Sequence, residues 1–189
     1  SSAAGAQAPW PVRAQVRAKA LGLHLIVGSE FAYPGFRLVA LARNAQGWGN
    51  LCQFITAARR SAAKGSYQMG PLSDVQQLQG CELLLVPERT VQNATDFVAV
   101  GALLASARAQ FGLNFWLVAE LLLEPDDDLW LATLQQAGAA VGVPLVAAGD
   151  VYMHVRSRKP LQDVITAVRL GLPVAQCGFA LQPHAERHL

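Results

Sequence analysis

Three acidic residues lie at the ends of apolar segments, where they could support metal chemistry. Glu30 lies in VGSEF, Glu120 in LVAELLL and Asp150 in VAAGDVYMH. In parallel α/β folds, functional groups gather where the strands end, so these carboxylates could meet at one edge of a sheet. If the last strand continues past Asp150, Tyr152 and His154 would share its face. Carboxylates and an imidazole suit divalent metals, which can activate a water for phosphoester hydrolysis.

A second interpretation of these residues needs no metal. Glu120 could be an interior carboxylate bound by an arginine, and Asp150 could cap the turn that follows it. The sequence contains no HxH pair, no HExxH motif and no other close ligand spacing. His24 lies within an apolar segment and is expected to be packed, whereas His184 and His188, near the carboxyl end, are expected to be solvated.

The densest basic cluster consists of Arg156, Arg158 and Lys159 in the segment RSRK. It could contact the phosphates of a nucleic acid, but the solvated entrance of a helix is the favoured interpretation. The sequence has no GxGxxG after a strand, no GxxxxGK[ST] and no GxSxG. Dinucleotide, P-loop and α/β-hydrolase chemistry therefore lack their residues.

Composition indicates a packed, cytoplasmic domain. Of 189 residues, 52% are hydrophobic and 15% charged, which is the opposite of the balance that favours disorder. The formal net charge of +2 neither requires nor excludes a nucleic-acid partner. The cysteines, Cys52, Cys81 and Cys177, are far apart, as expected for free thiols in a reducing compartment. The longest uncharged stretch, 129–149, contains glycines and a proline, so no membrane span is predicted.

Short apolar runs alternate with helical patterns, which predicts an α/β fold with a parallel sheet. The predicted strands are 23–31, 36–43, 81–86, 114–123 and 144–148. The predicted helices are 12–21, 48–63, 94–111, about 125–141 and about 160–171. Such strands fit either a barrel or a doubly wound sheet. A complete β/α barrel takes about 250 residues and the chain is short of that by roughly two units, so we predict an incomplete barrel.

Four blocks of the sequence together resemble one family. They are LGLHLIVGSEF, RLVALARNAQGWGNLCQFITAARRSAAKGSYQ, FWLVAELLLEPDDD and the segment from Val143 to Leu189. The family is the error-prone alpha-type DNA polymerases of bacterial damage-tolerance systems. The resemblance runs from about Val12 to the end, and its most specific part extends from GDVYMHVRSR to AERHL.

The resemblance implies a distorted, incomplete TIM-like barrel of the PHP (polymerase and histidinol phosphatase) type over residues 12–189, with 1–11 left unassigned. The family's HxH strand and Thr-Asp segment, which supply metal ligands, are expected to precede this chain, and the polymerase domains to follow it. The implied parent is a translesion polymerase that uses Mg²⁺ for nucleotidyl transfer. Its implied partners are its own remaining domains, DNA, the sliding clamp and damage-tolerance accessory proteins.

The resemblance also bears on the candidate metal ligands. Glu30 and Asp150 match motif carboxylates of PHP metal sites, and Glu120 matches an acidic residue of a later strand. Arg37 stands where metal-binding PHP domains tend to have His, and Tyr152 stands where GDVHMH would supply one. A guanidinium cannot ligate a cation, and a neutral phenol is a poor substitute for imidazole.

Two functions follow from this comparison. In the first, the chain is a non-catalytic PHP portion of an error-prone polymerase, and it acts in DNA damage tolerance and repair only through its parent. No cofactor is then expected in this chain, and a residual Zn or Mn site is not expected either. In the second, it is a metal-dependent phosphoesterase that uses Glu30, Glu120, Asp150 and His154.

Overall fold

A computed structural model describes residues 9–90 and 96–189. Within these residues it has five α-helices and five strands, which confirms the predicted α/β class. Their order is α1 (Pro9–Ala20), β1 (Gly28–Tyr33), β2 (Phe36–Ala42), α2 (Ala45–Arg60), β3 (Cys81–Pro87), α3 (Phe97–Phe111), β4 (Trp116–Glu120), α4 (Asp127–Val141), β5 (Leu145–Ala148) and α5 (Lys159–Leu170). Residues 1–8 of the unassigned tail lie outside the described residues, and 9–11 belong to α1. None of the described helices is both long and apolar enough to cross a membrane.

The strands form one mixed sheet in the order β1-β2-β3-β4-β5. The prediction of a parallel sheet is wrong for its first half, because β1–β2 and β2–β3 are antiparallel and only β3–β4 is recorded as parallel. For the β1–β2 pair the reason is the two-residue turn that joins these strands, where Gly35 has a φ of 80°. So short a connection can only reverse the chain. The sheet of the described residues is open, with β1 and β5 at its two ends.

Several predicted boundaries also change. The strand predicted from residue 23 begins only at Gly28, and the strand predicted to reach residue 123 ends at Glu120. The last strand stops at Ala148, two residues before Asp150, whose φ is 40°. The face that a longer strand would have shared between Asp150, Tyr152 and His154 therefore does not form. The first two residues of the predicted helix 94–111 lie outside the described residues.

Local sequence explains where the central helices begin. Asn44 caps α2 by accepting a hydrogen bond from the amide of Gly47 at 2.9 Å. Asp96 caps α3 by accepting from the amides of Val98 and Ala99. Gly47 also lies against the loop before β3, where an added Cβ would approach the carbonyl oxygen of Gly80 to 2.0 Å. The caps set where both helices begin, and the close approach of Gly47 to Gly80 places the start of α2 beside β3.

The described residues divide into two compact units. The larger unit comprises the described residues up to Ala119 together with Asp128–Val146. It contains the hydrophobic core, in which alternate residues of β2 are buried together with residues of β3 and β4, among them Leu38, Leu85 and Leu117. The side chains of the opposite parity, including Glu30 and Arg37, lie on the other face of the sheet.

The smaller unit comprises Glu120–Asp127 and Ala147–Leu189. Its buried residues are few: Met153, Thr166, Ala167 and Cys177. Backbone contacts join the segment after β5 to the carboxyl end, where the amide of Tyr152 donates to the carbonyl of Arg187 at 3.0 Å. An isolated parallel bridge pairs Met153 with His188 in the same place. This unit therefore depends more on polar contacts than on an apolar core.

Candidate functional site

The first predicted metal ligand, Glu30, is bound by an arginine. Arg37 donates through Nη1 to Oε2 of Glu30 at 2.9 Å. Glu30 is paired with Val39 across the hairpin, so Arg37 is its diagonal neighbour on the same face of the sheet. The two side chains are 42% and 30% exposed, so this ion pair is partly solvated. The residue at the position where the family tends to have His thus satisfies the carboxylate directly.

The second, Asp150, is also bound by an arginine, in a more enclosed setting. Nη2 of Arg187 contacts Oδ2 of Asp150, and Nε donates to its backbone carbonyl at 3.1 Å. Nη1 donates to Oε1 of Gln182 at 2.7 Å, and the guanidinium lies 4.4 Å from the ring centroid of Tyr152. Only 10% of the Arg187 side chain is exposed. One arginine therefore gathers three residues of the smaller unit.

The backbone of Asp150 explains why this arginine matters. A φ of 40° is uncommon for a residue other than glycine, and it persists only where neighbouring contacts hold it. Arg187 supplies two such contacts, one to the carbonyl and one to the carboxylate of the same residue. Asp150 and Tyr152 are thus brought together by Arg187, and not by strand alternation as the sequence pattern suggested.

The other two candidates have different surroundings. Glu120 is the last residue of β4 and is half-buried, and His154 is exposed beyond β5. Among residues 9–90 and 96–189, no group of three or more His, Cys, Asp and Glu side chains is arranged to hold a metal ion. The structure thus does not gather the four predicted ligands into a cluster within the residues that it describes.

The surroundings of Glu30 and Asp150 do not fit a metal centre. Each carboxylate already has a guanidinium within contact distance, and a cation would have to displace that positive charge or lie beside it. A guanidinium offers no lone pair to a metal. The expectation that no metal binds stays a prediction.

The predicted nucleic-acid cluster is partly occupied by contacts within the smaller unit. Arg156 contacts Oε2 of Glu186, and its Nε lies 3.0 Å from Nε2 of His188. Lys159 binds both carboxylate oxygens of Asp163, at 2.6 and 2.8 Å. Arg158 is exposed. These contacts reduce the charge that the cluster offers to phosphates, and its role in nucleic-acid binding stays a prediction.

The expectation for His24 was wrong, and the expectations for His184 and His188 hold only in part. His184 and His188, expected to be solvated, are half-buried, and Nε2 of His184 lies 2.9 Å from the carbonyl oxygen of Leu122. His24, expected to be packed, is exposed, because β1 begins only after it.

The three cysteines are free thiols, and burial raises the pKa of Cys81 above its ordinary value.

Comparisons with known proteins add evidence of relationship. No family model matches the chain. Over 94% of its length, the chain is 45% identical to an error-prone DNA polymerase of Methylococcus capsulatus and 44% identical to one of Dechloromonas aromatica. The chain is homologous to a segment of error-prone DNA polymerases. This confirms the resemblance inferred from the sequence blocks. A relative of the same name from Ralstonia nicotianae is 41% identical over 93% of the chain.

The chain spans about a sixth of the length of these error-prone polymerase relatives, 16% of the first and 17% of the next two. The similarity therefore concerns only this segment of the longer polymerases.

Proposed function

We propose that this chain is a non-catalytic, PHP-type portion of an error-prone DNA polymerase that acts in translesion synthesis and DNA repair in the cytoplasm. Homology to a segment of such polymerases supports the polymerase context. The single observation that carries the non-catalytic part is the pair of arginine-bound carboxylates, Glu30 with Arg37 and Asp150 with Arg187.

In this proposal the positive charge of an arginine takes the place of the charge of a metal ion beside each carboxylate. A carboxylate needs a positive partner where water is limited, which applies more to Asp150, 21% exposed, than to Glu30, which lies within β1 and is 42% exposed. A guanidinium provides that charge and several directed hydrogen bonds, but it cannot polarise a phosphoester or activate a water as a metal ion does. Arginine therefore preserves the local fold at these positions without the chemistry. The proposed role of the chain is to support the rest of the polymerase.

In this proposal, chemistry belongs to other domains of the longer protein. Nucleotidyl transfer with Mg²⁺, contact with DNA, and binding of the sliding clamp and damage-tolerance accessory proteins would all be functions of the parent. A PHP-type barrel is proposed from the family resemblance alone, since the sheet of the described residues is open and antiparallel in its first half.

A segment exchange in the Methylococcus capsulatus relative tests this proposal. The homologous segment would be replaced by this chain, and primer extension over a damaged template would be measured. We expect extension to be retained, because the chain needs only to support the polymerase. Arg187→Ala should lower extension, since it releases Asp150, whereas the exposed Arg169→Ala serves as the matched control. Loss of extension on replacement with the unaltered chain would contradict the proposal.

A hydrolysis assay distinguishes the proposal from the phosphoesterase alternative. The purified chain would be incubated with a generic phosphodiester and Mn²⁺ or Zn²⁺, and product release would be followed. We expect no turnover above the metal alone. Metal-dependent turnover that is lost in Asp150→Asn would overturn the non-catalytic assignment.

A further inference from the structure

A polar cavity lies in the larger unit, at the edge of the sheet where β3 and β4 begin. Its volume is about 570 Å³, which is within the range of pockets that hold small ligands. Its charged lining residues are Arg43, Glu82 and Arg108, and its exposed aromatic residue is Trp116. Two positive charges and one negative charge leave the lining with a net positive charge.

Trp116 is held in place but is not buried. Its indole Nε1 donates to Oε2 of Glu82 at 3.2 Å. The other carboxylate oxygen of Glu82 lies 3.3 Å from Nε of Arg43. Trp116 is nevertheless 39% exposed, whereas Trp130 in the core is 2% exposed and the next residue, Leu117, is fully buried. A fixed and accessible indole is suited to stacking on a planar ring.

Arg108 reaches the cavity from α3 and is held by carbonyl groups. Its Nη1 contacts the carbonyl oxygen of Val141 and lies 3.4 Å from that of Gly142. Gly142 has a φ of 73°, and a Cβ there would lie 3.1 Å from Nη1 of Arg108. Carbonyl acceptors orient the guanidinium without cancelling its charge. Nε of Arg43 lies 3.3 Å from the carboxylate of Glu82, and 62% of the Arg43 side chain is exposed.

We propose that this cavity binds a nucleoside monophosphate, with the base on Trp116 and the phosphate between Arg43 and Arg108. Guanidinium groups match phosphate through paired hydrogen bonds, and an indole stacks on any base. The same chemistry is presented by a free nucleotide and by a nucleotide of single-stranded DNA. This inference goes beyond the proposed function and does not rest on it.

An NMR titration of the purified chain with AMP tests the inference. The indole N–H signal of Trp116 should shift and saturate, while the indole signals of Trp48 and Trp130, which are outside the cavity, should not. Raising the salt concentration should weaken binding, because the phosphate contacts are ionic. Adenosine, which has no phosphate, should bind more weakly than AMP.

Substitutions of the lining residues test which side chains contact AMP. Trp116→Ala should weaken AMP binding about tenfold or more through loss of stacking. Arg43→Gln and Arg108→Gln should each weaken it through loss of charge, and Arg60→Gln, an exposed arginine outside the cavity, should leave it unchanged. Arg43→Gln keeps the carbonyl contacts of Arg108 intact, so it remains informative if Arg108→Gln disturbs the fold.

The outcomes separate the sources of the nucleotide. Tighter binding of a short oligothymidylate with the same variant pattern would assign the cavity to single-stranded DNA, and binding of AMP alone would assign it to free nucleotides. No saturable shift at millimolar AMP would overturn the inference. Equal shifts of all indole signals, or binding that is unchanged in both Trp116→Ala and Arg43→Gln, would also overturn it.

Discussion

The two units of the chain are held by different forces. In the larger unit, a single apolar cluster fills the space beside the sheet, and residues such as Leu38, Leu85 and Leu104 have no exposed surface. In the smaller unit few side chains are buried, and Arg187 connects Asp150, Gln182 and Tyr152. The larger unit is thus stabilised by apolar residues that recur along its sequence, whereas the smaller unit depends on individual polar contacts.

The energies of the two arrangements differ in kind. Burial of a leucine side chain stabilises the fold by about 1.5–3 kcal/mol. In the larger unit many buried side chains contribute in this way. An enclosed ion pair has a smaller net value, because both charges lose water when it forms. Removing one partner is nevertheless costly, since the other charge stays enclosed without compensation. Loss of one polar contact should therefore weaken the smaller unit locally, because few other contacts hold it, whereas loss of a buried apolar side chain lowers the stability of the larger unit as a whole.

The largest effect is expected from a cavity in the larger unit. Leu104→Ala removes a fully buried side chain of α3 and should lower the free energy of unfolding by about 3 kcal/mol. Urea denaturation would measure it. Val98→Ala is the matched control, because Val98 lies on the same helix and is 65% exposed. A loss of similar size in both variants would contradict the assignment of the core.

The next effect concerns the arginine of the smaller unit. Arg187→Ala leaves Asp150 partly enclosed without its cation and should cost about 2 kcal/mol, less than for a fully buried pair because Asp150 is 21% exposed. Hydrogen exchange should increase in residues 147–189 and change little in β2 and β3. The exposed Arg169→Ala is the control. Unchanged protection around Asp150 would show that Arg187 does not hold this segment.

A third variant compares the two ion pairs directly. Arg37→Ala should cost less than about 1 kcal/mol, because the Glu30–Arg37 pair is partly solvated and lies within a hairpin that the turn already closes. Its effect should shrink further at high salt. Urea denaturation of Arg37→Ala beside Arg187→Ala makes the comparison. A larger loss for Arg37→Ala would reverse the contrast between the two sites.

Sequence periodicity predicted the elements that bury apolar residues. The strands 36–43 and 81–86 and the helix 48–63 agree with β2, β3 and α2 within a few residues, because their buried positions recur at the expected spacing. The segment 23–27 failed since its apolar side chains, such as Leu23 and Ile26, are exposed. The antiparallel direction of the first half of the sheet was also missed, because an apolar pattern is the same in either direction, whereas β3–β4 is parallel as predicted.

The candidate site was only partly predictable. The contact of Glu30 with Arg37 could have been found from the sequence, since a two-residue turn at Pro34 and Gly35 fixes the register of the hairpin. The contact of Asp150 with Arg187 could not, because 37 residues separate them and no periodic element links them. The positive φ of Asp150 has no sequence signal either.

The smallest effect at neutral pH is expected at Tyr33. Its buried hydroxyl has no hydrogen-bond partner among the described residues, and burial, with a smaller contribution from the charge of Asp74, raises its pKa to about 12. Tyr33→Phe should therefore leave the free energy of unfolding unchanged or raise it by about 0.5 kcal/mol, as urea denaturation would show.

The same variant has a pH signature. In the unfolded chain the phenol loses its proton near pH 10, while in the folded chain it keeps the proton to about pH 12. The folded state therefore binds more protons in this window, and stability falls as pH rises through it. Thermal unfolding at several pH values should show that Tyr33→Phe lacks this part of the loss. An identical pH dependence in both proteins would contradict the assignment.

Metal content is the most direct test of whether arginines have taken the place of metal ions beside Glu30 and Asp150. The purified chain would be equilibrated with Mn²⁺ or Zn²⁺, freed of unbound ion and its metal quantified, with Asp150→Asn in parallel. We predict substoichiometric metal that does not change in the variant. A full equivalent of bound metal that is lost in Asp150→Asn would contradict the central claim.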